Sequence, residues 1–172
     1  MRVDLRGGSA YSVFMFRIGF GYDSHRFQAG RELVLGGVRI EHSAGLAGHS
    51  DADAVLHAVT DAVLGALAAG DIGEIFPDTD PRWAAADSSI FLAQAVALAG
   101  QRGCRVANCD VTVLAEAPKL GPYKRRMAER IAELLGVDAG AVGVKAKTNE
   151  QMDAVGRREG IVALAAVMLT DK

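Results

Sequence analysis

The sequence predicts an α+β fold, in which one mixed sheet of about four to five strands is covered on one face by helices. Three features favour this class: about five strand-like segments along the chain, two helices in succession, and a hairpin signal at Gly36-Gly37. No GxGxxG or GxxxxGKS/T motif follows a predicted strand. The chain therefore does not match a doubly wound nucleotide-binding fold.

Local patterns place the elements in order. A strand at 16–22 is followed by a hairpin of strands at 33–35 and 38–40, helices at about 50–67, 88–102 and 122–136, and strands at 105–115, 142–148 and 160–170, the last fully buried. The first helix is expected to begin near Ser50, because Ser50 followed by Asp53 is close to a capping box. A long carboxylate-rich loop at 70–81 follows it, and long ordered loops in compact domains are often functional.

Length and composition indicate one globular domain. The chain has 172 residues, of which half are hydrophobic and 23% charged. Residues 1–15 are weakly patterned and are expected to form a flexible leader before a single domain at 16–172. A net charge of −2 gives no strong field for nucleic acid or an anionic membrane.

Compartment and partners follow from two further observations. No apolar run reaches membrane-spanning length, so no membrane partner is expected. Cys104 and Cys109 are the only cysteines, and no second CxxC or nearby histidine accompanies them. A buried pair of free thiols suits a reducing compartment, which predicts a cytoplasmic protein.

All four histidines lie between residues 25 and 57, close to several aspartates. Asp23 and His25 are two apart on a strand end, so both side chains point to the same side. His57 lies on the first helix with Asp53 and Asp61 one turn away on either side, and these carboxylates could fix its tautomer. Together the three ligands predict a zinc site with an open fourth position, which is typical of catalysis. Taken singly, each has a plainer reading as a surface turn or an ordinary helical histidine.

Three polar segments each allow a functional and a plain interpretation. His49 and Ser50 precede a helix N-terminus, which suits a phosphate, although Ser50 as an ordinary helix cap explains them equally well. The segment 145–150 combines two lysines, a hydroxyl and a carboxylate, which suits a phosphorylated ligand and magnesium, or simply a polar strand end. Small residues at 115–121 would let a flat ring approach the backbone, although most such turns bind nothing.

Seven separated motifs in register identify a family resemblance. They are Gly19-Phe20-Gly21-Tyr22-Asp23-Ser24-His25, Gly48-His49-Ser50-Asp51-Ala52-Asp53, Gly70-Asp71-Ile72-Gly73, Phe76-Pro77-Asp78-Thr79-Asp80, Ala117-Pro118-Lys119, Lys145-Ala146-Lys147-Thr148-Asn149-Glu150, and Gly156-Arg157 with Glu159-Gly160. The chain resembles the 2-C-methyl-D-erythritol 2,4-cyclodiphosphate synthase family of the non-mevalonate isoprenoid pathway, over nearly everything from Phe16 to Leu169.

The resemblance implies a reaction and an assembly. Members cyclise 4-diphosphocytidyl-2-C-methyl-D-erythritol 2-phosphate and release CMP, as homotrimers with active sites between subunits. Zn²⁺ would be held by Asp23, His25 and His57, and Glu150 would help to hold Mg²⁺ or Mn²⁺ between the substrate phosphates. No adjoining cytidylyltransferase domain is recognised in this sequence, which implies the single-function form.

The resemblance also implies roles for individual residues. His49 and Thr148 would stabilise the transition state, with Asp61 as a supporting partner of the metal site. The substrate would contact Asp23, His25, His49, Ser50, Asp71, Ile72, Gly73, Phe76, Pro77, Asp78, Thr79, Asp80, Ala115, Glu116, Ala117, Pro118, Lys119, Leu120, Gly121, Lys147, Thr148, Asn149, Glu150 and Arg157, with the turn 115–121 taking the cytidine. Two positions depart from the pattern. Lys147 stands where many members carry threonine, and Ala154 stands where some place a phenylalanine in a pocket on the trimer axis beside Arg157.

Two other functions would use the same residues. A metal-dependent phosphohydrolase would share the ligands but release inorganic phosphate instead of CMP. A non-catalytic module would use zinc only to hold its fold, so that metal removal would unfold it. The predicted open coordination position and the carboxylate-rich loop favour catalysis over the non-catalytic module, whereas an assay of CMP against inorganic phosphate would separate the two enzymes.

Overall fold

The computed structural model describes residues 15–172, so the predicted leader at 1–15 lies outside the described residues except for Met15. The strands are β1 (Phe16–Ala29), β2 (Leu33–Leu35), β3 (Val38–Ile40), β4 (Ala44–Leu46), β5 (Cys104–Leu114), β6 (Val142–Lys147) and β7 (Gly160–Asp171). The helices are α1 (Ala54–Ala66), α2 (Ile72–Ile75), α3 (Ser89–Gln101), α4 (Lys124–Leu135) and α5 (Asp153–Gly156). Short 3-10 turns lie at Pro81–Trp83, Gly121–Tyr123 and Ala139–Ala141.

One five-stranded mixed sheet carries the fold, in the order β4-β1-β7-β5-β6, and β2 and β3 form the predicted hairpin beside it. Only β5 and β6 pair in parallel among these strands, and the other pairs are antiparallel. The α+β class and its mixed sheet are therefore confirmed. The strand β4 and the short helices α2 and α5 were not anticipated from the sequence.

Helix α1 packs very closely on strand β1 because two glycines line the strand's inner face. A Cβ atom at Gly21 would lie 1.9 Å from the carbonyl oxygen of Ala58, and one at Gly19 would lie 1.8 Å from that of Ala62. No other residue type fits at such distances. The close approach brings Asp23 and His25, in the middle of β1, next to His57 on α1.

The first helix begins later than its sequence pattern indicates. Its N-cap is Asp53, and the helix itself starts at Ala54. Ser50, the expected cap, is buried three residues earlier and does not cap the helix. The expectation that Ser50 caps the helix is therefore wrong, whereas its contact with a phosphate stays a prediction.

The carboxylate of the cap residue Asp53 is fully buried, and backbone N–H groups from two segments of the chain donate hydrogen bonds to it. Its Oδ1 accepts hydrogen bonds from the backbone N–H groups of Val55 and Leu56, both at 3.0 Å, and of Gly36 at 2.8 Å. Its Oδ2 accepts one from the N–H of Gly37 at 2.6 Å. Burial raises the pKa of Asp53, while the N–H groups of Gly37, Leu56 and Gly36 oppose that rise. One side chain thus joins the β2–β3 turn to the start of α1.

Replacement of Asp53 is expected to destabilise the fold. Asp53→Ala removes a helix cap and leaves two buried N–H groups of the hairpin turn without partners, which should lower the free energy of unfolding by about 3–5 kcal/mol. Urea denaturation followed by circular dichroism measures it. The matched control is Asp138→Ala, because Asp138 is exposed and its side chain makes no capping hydrogen bond. A loss for Asp53→Ala as small as that of the control would contradict the assigned role.

The last strand is not buried on both faces as expected. Along β7, Ile161 and Ala163 are buried, whereas Val162 and Leu164 between them are half-buried. The sheet therefore has a helix-covered face and an open face, and the open face of β7 is also apolar. Because the side chains on both faces of β7 are apolar, its sequence lacks the alternation of apolar and polar residues that identifies a strand buried on one face.

The open face of the sheet is apolar on β1 as well. Ile18 and Phe20 are 77% and 63% exposed there, and Tyr22 is 55% exposed. An antiparallel sheet that faces water usually presents polar side chains on that side. A contiguous apolar surface of this kind marks an interaction site.

Two further expectations concern the cysteines and the membrane. Cys104 and Cys109 are both unpaired and buried, as predicted, and burial raises the pKa of the Cys109 thiol to about 12. Among the described residues, no helix combines the length and the apolar character needed to cross a membrane.

Candidate metal centre and substrate cleft

Asp23, His25 and His57 meet at one point, as the sequence predicts. Asp23 and His25 come from the helix-covered side of β1, and His57 comes from the first turn of α1. The Asp23 Oδ2 atom lies 2.9 Å from His25 Nε2 and 3.0 Å from His57 Nδ1, and the two nitrogens are 3.3 Å apart. A single ion can therefore be reached by one donor atom from each side chain.

The ring of His25 is oriented from behind by the backbone. Its Nδ1 lies 2.6 Å from the carbonyl oxygen of Ala47. Because a carbonyl only accepts hydrogen bonds, Nδ1 carries the proton of the neutral ring. The lone pair of the neutral ring is then on Nε2, the atom that faces Asp23.

The ring of His57 is oriented by two buried serines. Its Nε2 lies 2.8 Å from Ser88 Oγ and 3.2 Å from Ser50 Oγ. The expected supporting carboxylates lie elsewhere, because Asp53 turns to the hairpin and Asp61 accepts a hydrogen bond from the N–H of Ile72 at 2.8 Å. The prediction that Asp53 and Asp61 fix the tautomer of His57 is therefore wrong. Ser88 was not predicted as a partner of His57, because no local sequence pattern indicates that these two residues are in contact.

The outer contacts leave three acceptor atoms facing one another. Nδ1 of His25 donates to Ala47; when Nε2 of His57 likewise donates to a serine oxygen, the atoms that converge are a carboxylate oxygen and two nitrogen lone pairs. Such atoms repel at about 3 Å unless a proton or a cation lies between them. One carboxylate and two neutral imidazoles are a donor set that zinc prefers. The site is therefore built for a cation.

In the absence of a cation, protons link Asp23 and His25. Burial would raise the pKa of Asp23, but the hydrogen bond from His25 and the charge of the two histidines outweigh it and lower that pKa to about 2. Burial would lower the pKa of His25, but the hydrogen bond and the charge of Asp23 outweigh it, so that this pKa is raised. The metal-free site therefore favours an aspartate–imidazolium pair.

This pair predicts a pH dependence for the metal-free protein. The contribution of Asp23 to the free energy of unfolding is present above its unfolded pKa of roughly 3.9 and is lost as the pH falls toward its folded value. The contribution of His25 is present below its unfolded pKa of roughly 6.5 and is lost as the pH rises through its raised folded value. The stability difference between the wild type and Asp23→Asn, measured in chelator by denaturation, should therefore be larger at pH 5 than at pH 8. Equal differences at both pH values would contradict the pairing.

The three ligands lie at the base of a cleft of about 450 Å³. Its lining residues are Asp23, His25, Gly48, His49, Ser50, His57, Ile72, Gly73, Phe76, Asp78, Trp83 and Phe91. Phe76, Trp83 and Phe91 form an aromatic wall, with ring centroids 4.8 to 5.6 Å apart. Trp83, Phe91 and Gly48 were not among the predicted contacts, although Trp83 and Phe91 follow the acidic loop that pointed to this region.

Arg31 holds the part of the rim that contains His49. Its guanidinium donates to the carbonyl oxygen of Gly48 at 2.6 Å and to that of Ser50 at 2.5 Å. The carbonyl of His49 accepts a hydrogen bond from the N–H of Ala85 at 2.8 Å. The backbone of residues 48–50 is therefore fixed from both sides, while the His49 side chain is exposed at the cleft.

Other predicted contacts surround the cleft without lining it. Asp71 caps α2, and Asp61 lies behind the same helix start. Asp80 caps the turn at Pro81–Trp83 and pairs with Arg82 at 2.6 Å. Pro77 and Thr79 belong to the same loop but are not among the lining residues. Burial raises the pKa of Asp61; the Ile72 N–H opposes this, and the charges of Asp71 and Asp23 add to it.

A second cavity, of about 220 Å³, contains most of the remaining predicted contacts. It is lined by Ala115, Glu116, Pro118, Lys119, Leu120, Gly121, Lys124, Ala146, Lys147 and Thr148. Glu150 accepts a hydrogen bond from the Thr148 hydroxyl at 2.6 Å, and Asn149 donates its N–H to Glu116 at 3.2 Å. This cavity shares no residue with the metal cleft of the same chain.

Glu150, Ala117 and Arg157 line neither the metal cleft nor the second cavity. Glu150 is not part of the ligand cluster among the described residues, and Ala117 does not line the second cavity. Arg157 pairs with Glu159 at 2.6 Å, beside a third cavity of about 410 Å³ that Glu159 and Ala154 help to line. The substrate contacts predicted from the sequence are thus divided over separate regions of one chain.

Comparisons with known proteins agree with the geometry. A family model described as the YgbB family matches residues 16–170. A curated relative from Thermosynechococcus vestitus, named 2-C-methyl-D-erythritol 2,4-cyclodiphosphate synthase, is 54% identical over 157 residues, covering 91% of this chain and 98% of the relative. The solved bifunctional IspDF from Campylobacter jejuni superposes with a TM-score of 0.89 at 41% identity, covering 92% of this chain and 43% of that longer chain. The IspF of Plasmodium falciparum in a CDP complex has a TM-score of 0.81 at 33% identity, covering 91% of this chain and 97% of that chain.

Proposed function

The chain belongs to the YgbB family, and we propose on that basis that it converts 4-diphosphocytidyl-2-C-methyl-D-erythritol 2-phosphate into 2-C-methyl-D-erythritol 2,4-cyclodiphosphate and CMP. One observation in the structure supports this best: three acceptor atoms from Asp23, His25 and His57 converge at the base of an open cleft. A cation held there by three side chains keeps coordination positions for a phosphate oxygen.

The donor set fits zinc as the resident ion. Asp23 would supply one oxygen, and His25 and His57 one nitrogen each, with both rings already turned by Ala47 and Ser88. When bound, a zinc ion would polarise a diphosphate oxygen of the substrate and help to orient it. The protein's contribution is to keep the ligands converged and the cleft open on one side.

The proposed reaction needs positioning more than it needs a nucleophilic side chain. The 2-phosphate oxygen of the substrate attacks the β-phosphorus, a new P–O bond closes the ring, and the bond to the α-phosphate breaks as CMP leaves with the electron pair. Because the nucleophile is already a charged oxygen, no activated serine or cysteine is required. His49 at the rim and Thr148 in the second cavity are the side chains proposed to stabilise charge on the phosphates.

We infer that the cytidine lies in the cavity formed by 115–121. Its walls include the small residues Ala115 and Gly121, which allow close approach of a flat ring. Glu150, beside Thr148, is the proposed ligand for a second cation such as Mg²⁺ or Mn²⁺, because a carboxylate is the ligand that such ions prefer. The CDP bound to the Plasmodium falciparum relative is consistent with a cytidine site in this family.

The division of these groups supports a homotrimer with sites between subunits. The metal cleft and the nucleotide cavity share no residue within one chain, although the proposed substrate must reach both. Nothing among residues 15–172 covers the apolar open face at Ile18 and Phe20. Copies of the chain packed through this face would bury it and would bring the two halves together.

The trimer is tested by disrupting that face. Phe20→Glu places a charge in the proposed interface and should turn a particle of three times 18.0 kDa into a monomer in light scattering. The matched control is Ile90→Glu, an exposed apolar position, 43% exposed, on α3 at the helix-covered side. A wild type that is already monomeric, or a Phe20→Glu variant that remains trimeric, would contradict the proposal.

The activity is tested directly by phosphorus NMR. The protein is incubated with the cytidine substrate and Mg²⁺, and the proposal predicts two coupled signals of a ring diphosphate together with free CMP. Release of inorganic phosphate without CMP would instead identify a phosphohydrolase.

We also infer a cytoplasmic location from the two free, buried cysteines, because such thiols suit a reducing compartment.

A further inference from the structure

A buried pair of side chains, Ser88 and Asp51, lies directly behind the ligand His57. Ser88 is completely buried at the N-cap of α3, and its hydroxyl oxygen is 2.8 Å from His57 Nε2. The same hydroxyl donates to Asp51 Oδ1, and the Ser88 N–H donates to Asp51 Oδ2 at 3.2 Å. Asp51 itself precedes α1, the helix that carries His57. The three groups therefore form one chain of hydrogen bonds across two helix starts.

The direction of these hydrogen bonds is fixed by the carboxylate. An ionised aspartate has no proton to give, so the Ser88 hydroxyl must donate its only hydrogen to Asp51. The oxygen of Ser88 is then left to accept, and the proton that it accepts is the one on His57 Nε2. This places the lone pair of the neutral ring on Nδ1, the atom that faces Asp23 and His25.

Ser50 gives a second but weaker contact to the same atom. Its hydroxyl lies 3.2 Å from His57 Nε2 and also accepts the N–H of Ala52 at 3.1 Å. Among residues 15–172, no carboxylate accepts a hydrogen bond from this hydroxyl, so its hydrogen is not directed away from His57 in the same manner. Ser88 is therefore the group that determines which nitrogen of His57 is protonated.

The pair also joins the metal ligands to the wall of the cleft. The N–H of Asp51 donates to the carbonyl of Ala86 at 3.0 Å, and Ser88 precedes Phe91 by less than one turn of α3. Phe91 packs against the His57 ring, with centroids 6.0 Å apart. The loop that carries Trp83 is therefore anchored to the segment that orients His57.

We propose that Ser88 and Asp51 are positioning residues, which hold His57 in the Nε2–H tautomer and thereby set the affinity of the site for zinc. This inference rests on the proposed zinc site. Neither residue touches the ion or the substrate, and their effect passes through the orientation of one imidazole. Loss of such a supporting hydrogen bond typically weakens metal binding by about 10- to 100-fold.

The test compares Ser88→Ala and Asp51→Asn with the wild type. Zinc affinity is measured by competition with a chromophoric chelator, and the tautomer of His57 by the two ring nitrogen shifts in ¹⁵N-histidine NMR. We expect zinc affinity to fall by about tenfold or more in Ser88→Ala, with the His57 signals moving toward the Nδ1–H form. Asp51→Asn should give a smaller change of the same kind, because an amide oxygen can still accept from Ser88. The matched control is Ser89→Ala, one residue along α3 and outside this chain of hydrogen bonds.

The outcomes separate this inference from the zinc proposal. Zinc affinity within twofold of wild type and an unchanged tautomer in both variants would overturn the positioning role. If the wild type itself binds no zinc, the proposed metal site fails, and the NMR of the metal-free protein still decides whether Ser88 sets the tautomer. Should Ser88→Ala fail to fold, Asp51→Asn gives the same two measurements with a residue of equal size.

Discussion

His57→Ala is expected to lose cyclase activity by about 10³-fold or more while the protein stays folded. The side chain supplies one of three donor atoms at the base of the cleft, and no other described side chain is in place to substitute for it. The side chain is 11% exposed and borders an existing cleft, so its removal enlarges an open space instead of creating a closed cavity. CMP release and zinc content are the measurements, with circular dichroism to confirm folding.

The matched control for this variant is His42→Ala. His42 lies against Phe27 at a centroid distance of 5.2 Å and does not line the metal cleft. Its replacement should leave both CMP release and zinc content near the wild-type values. Full activity of His57→Ala would remove the metal site from the mechanism. An unfolded His57→Ala that regains its fold on addition of imidazole would instead indicate a structural histidine.

If the protein forms the proposed homotrimer, mixed trimers of two inactive variants are expected to regain activity. The first variant, His57→Ala, lacks a ligand of the proposed metal site. The second, Thr148→Ala with Glu150→Ala, lacks the hydroxyl and the carboxylate proposed to hold the phosphates beside the second cavity. If each site takes one half from each of two neighbouring subunits, random assembly leaves about a quarter of the sites intact. The two variants are refolded together, and CMP release is compared with that of each variant refolded alone.

The control mixture combines His57→Ala with Asp23→Asn. Both lesions lie in the metal half, so every site in such a trimer keeps one of them and no activity should return. Absence of restored activity in the first mixture as well would contradict the division of the site between subunits. It would mean that one chain supplies both the metal ligands and the phosphate-binding side chains of a site. The metal cleft and the second cavity, which share no lining residue, do not support that arrangement.

Two of the three metal ligands were predictable because their relative geometry depends on a local rule. Asp23 and His25 share a face of β1 through the two-residue period of a strand, and this holds although β1 continues to Ala29 instead of ending at Tyr22. The hairpin at Gly36-Gly37 was equally local, since both glycines adopt positive φ values of 60° and 69°. A prediction that depends on only a few neighbouring residues stays correct even when the predicted bounds of the strand or helix are wrong.

The supporting contacts were not predictable because they depend on tertiary packing. The four-residue spacing predicted that Asp53 lies on the same helix face as His57. Asp53 is instead the N-cap, before the first helical residue, and its carboxylate accepts hydrogen bonds from Gly36 and Gly37. Ser88 reaches His57 across 31 residues of sequence, and no local pattern encodes that distance. The open face of β7 escaped notice because it is apolar too, so the sequence shows a continuous run where the structure alternates.

Anomalous X-ray scattering from crystals grown with zinc tests whether Asp23, His25 and His57 bind one ion. We expect one strong peak at the zinc edge per chain, within about 2.0–2.2 Å of Asp23 Oδ2, His25 Nε2 and His57 Nδ1. We also expect a further ligand, water or a diphosphate oxygen, on the side of the cleft. A zinc peak elsewhere, or these three side chains turned to separate partners with no peak between them, would contradict this expectation.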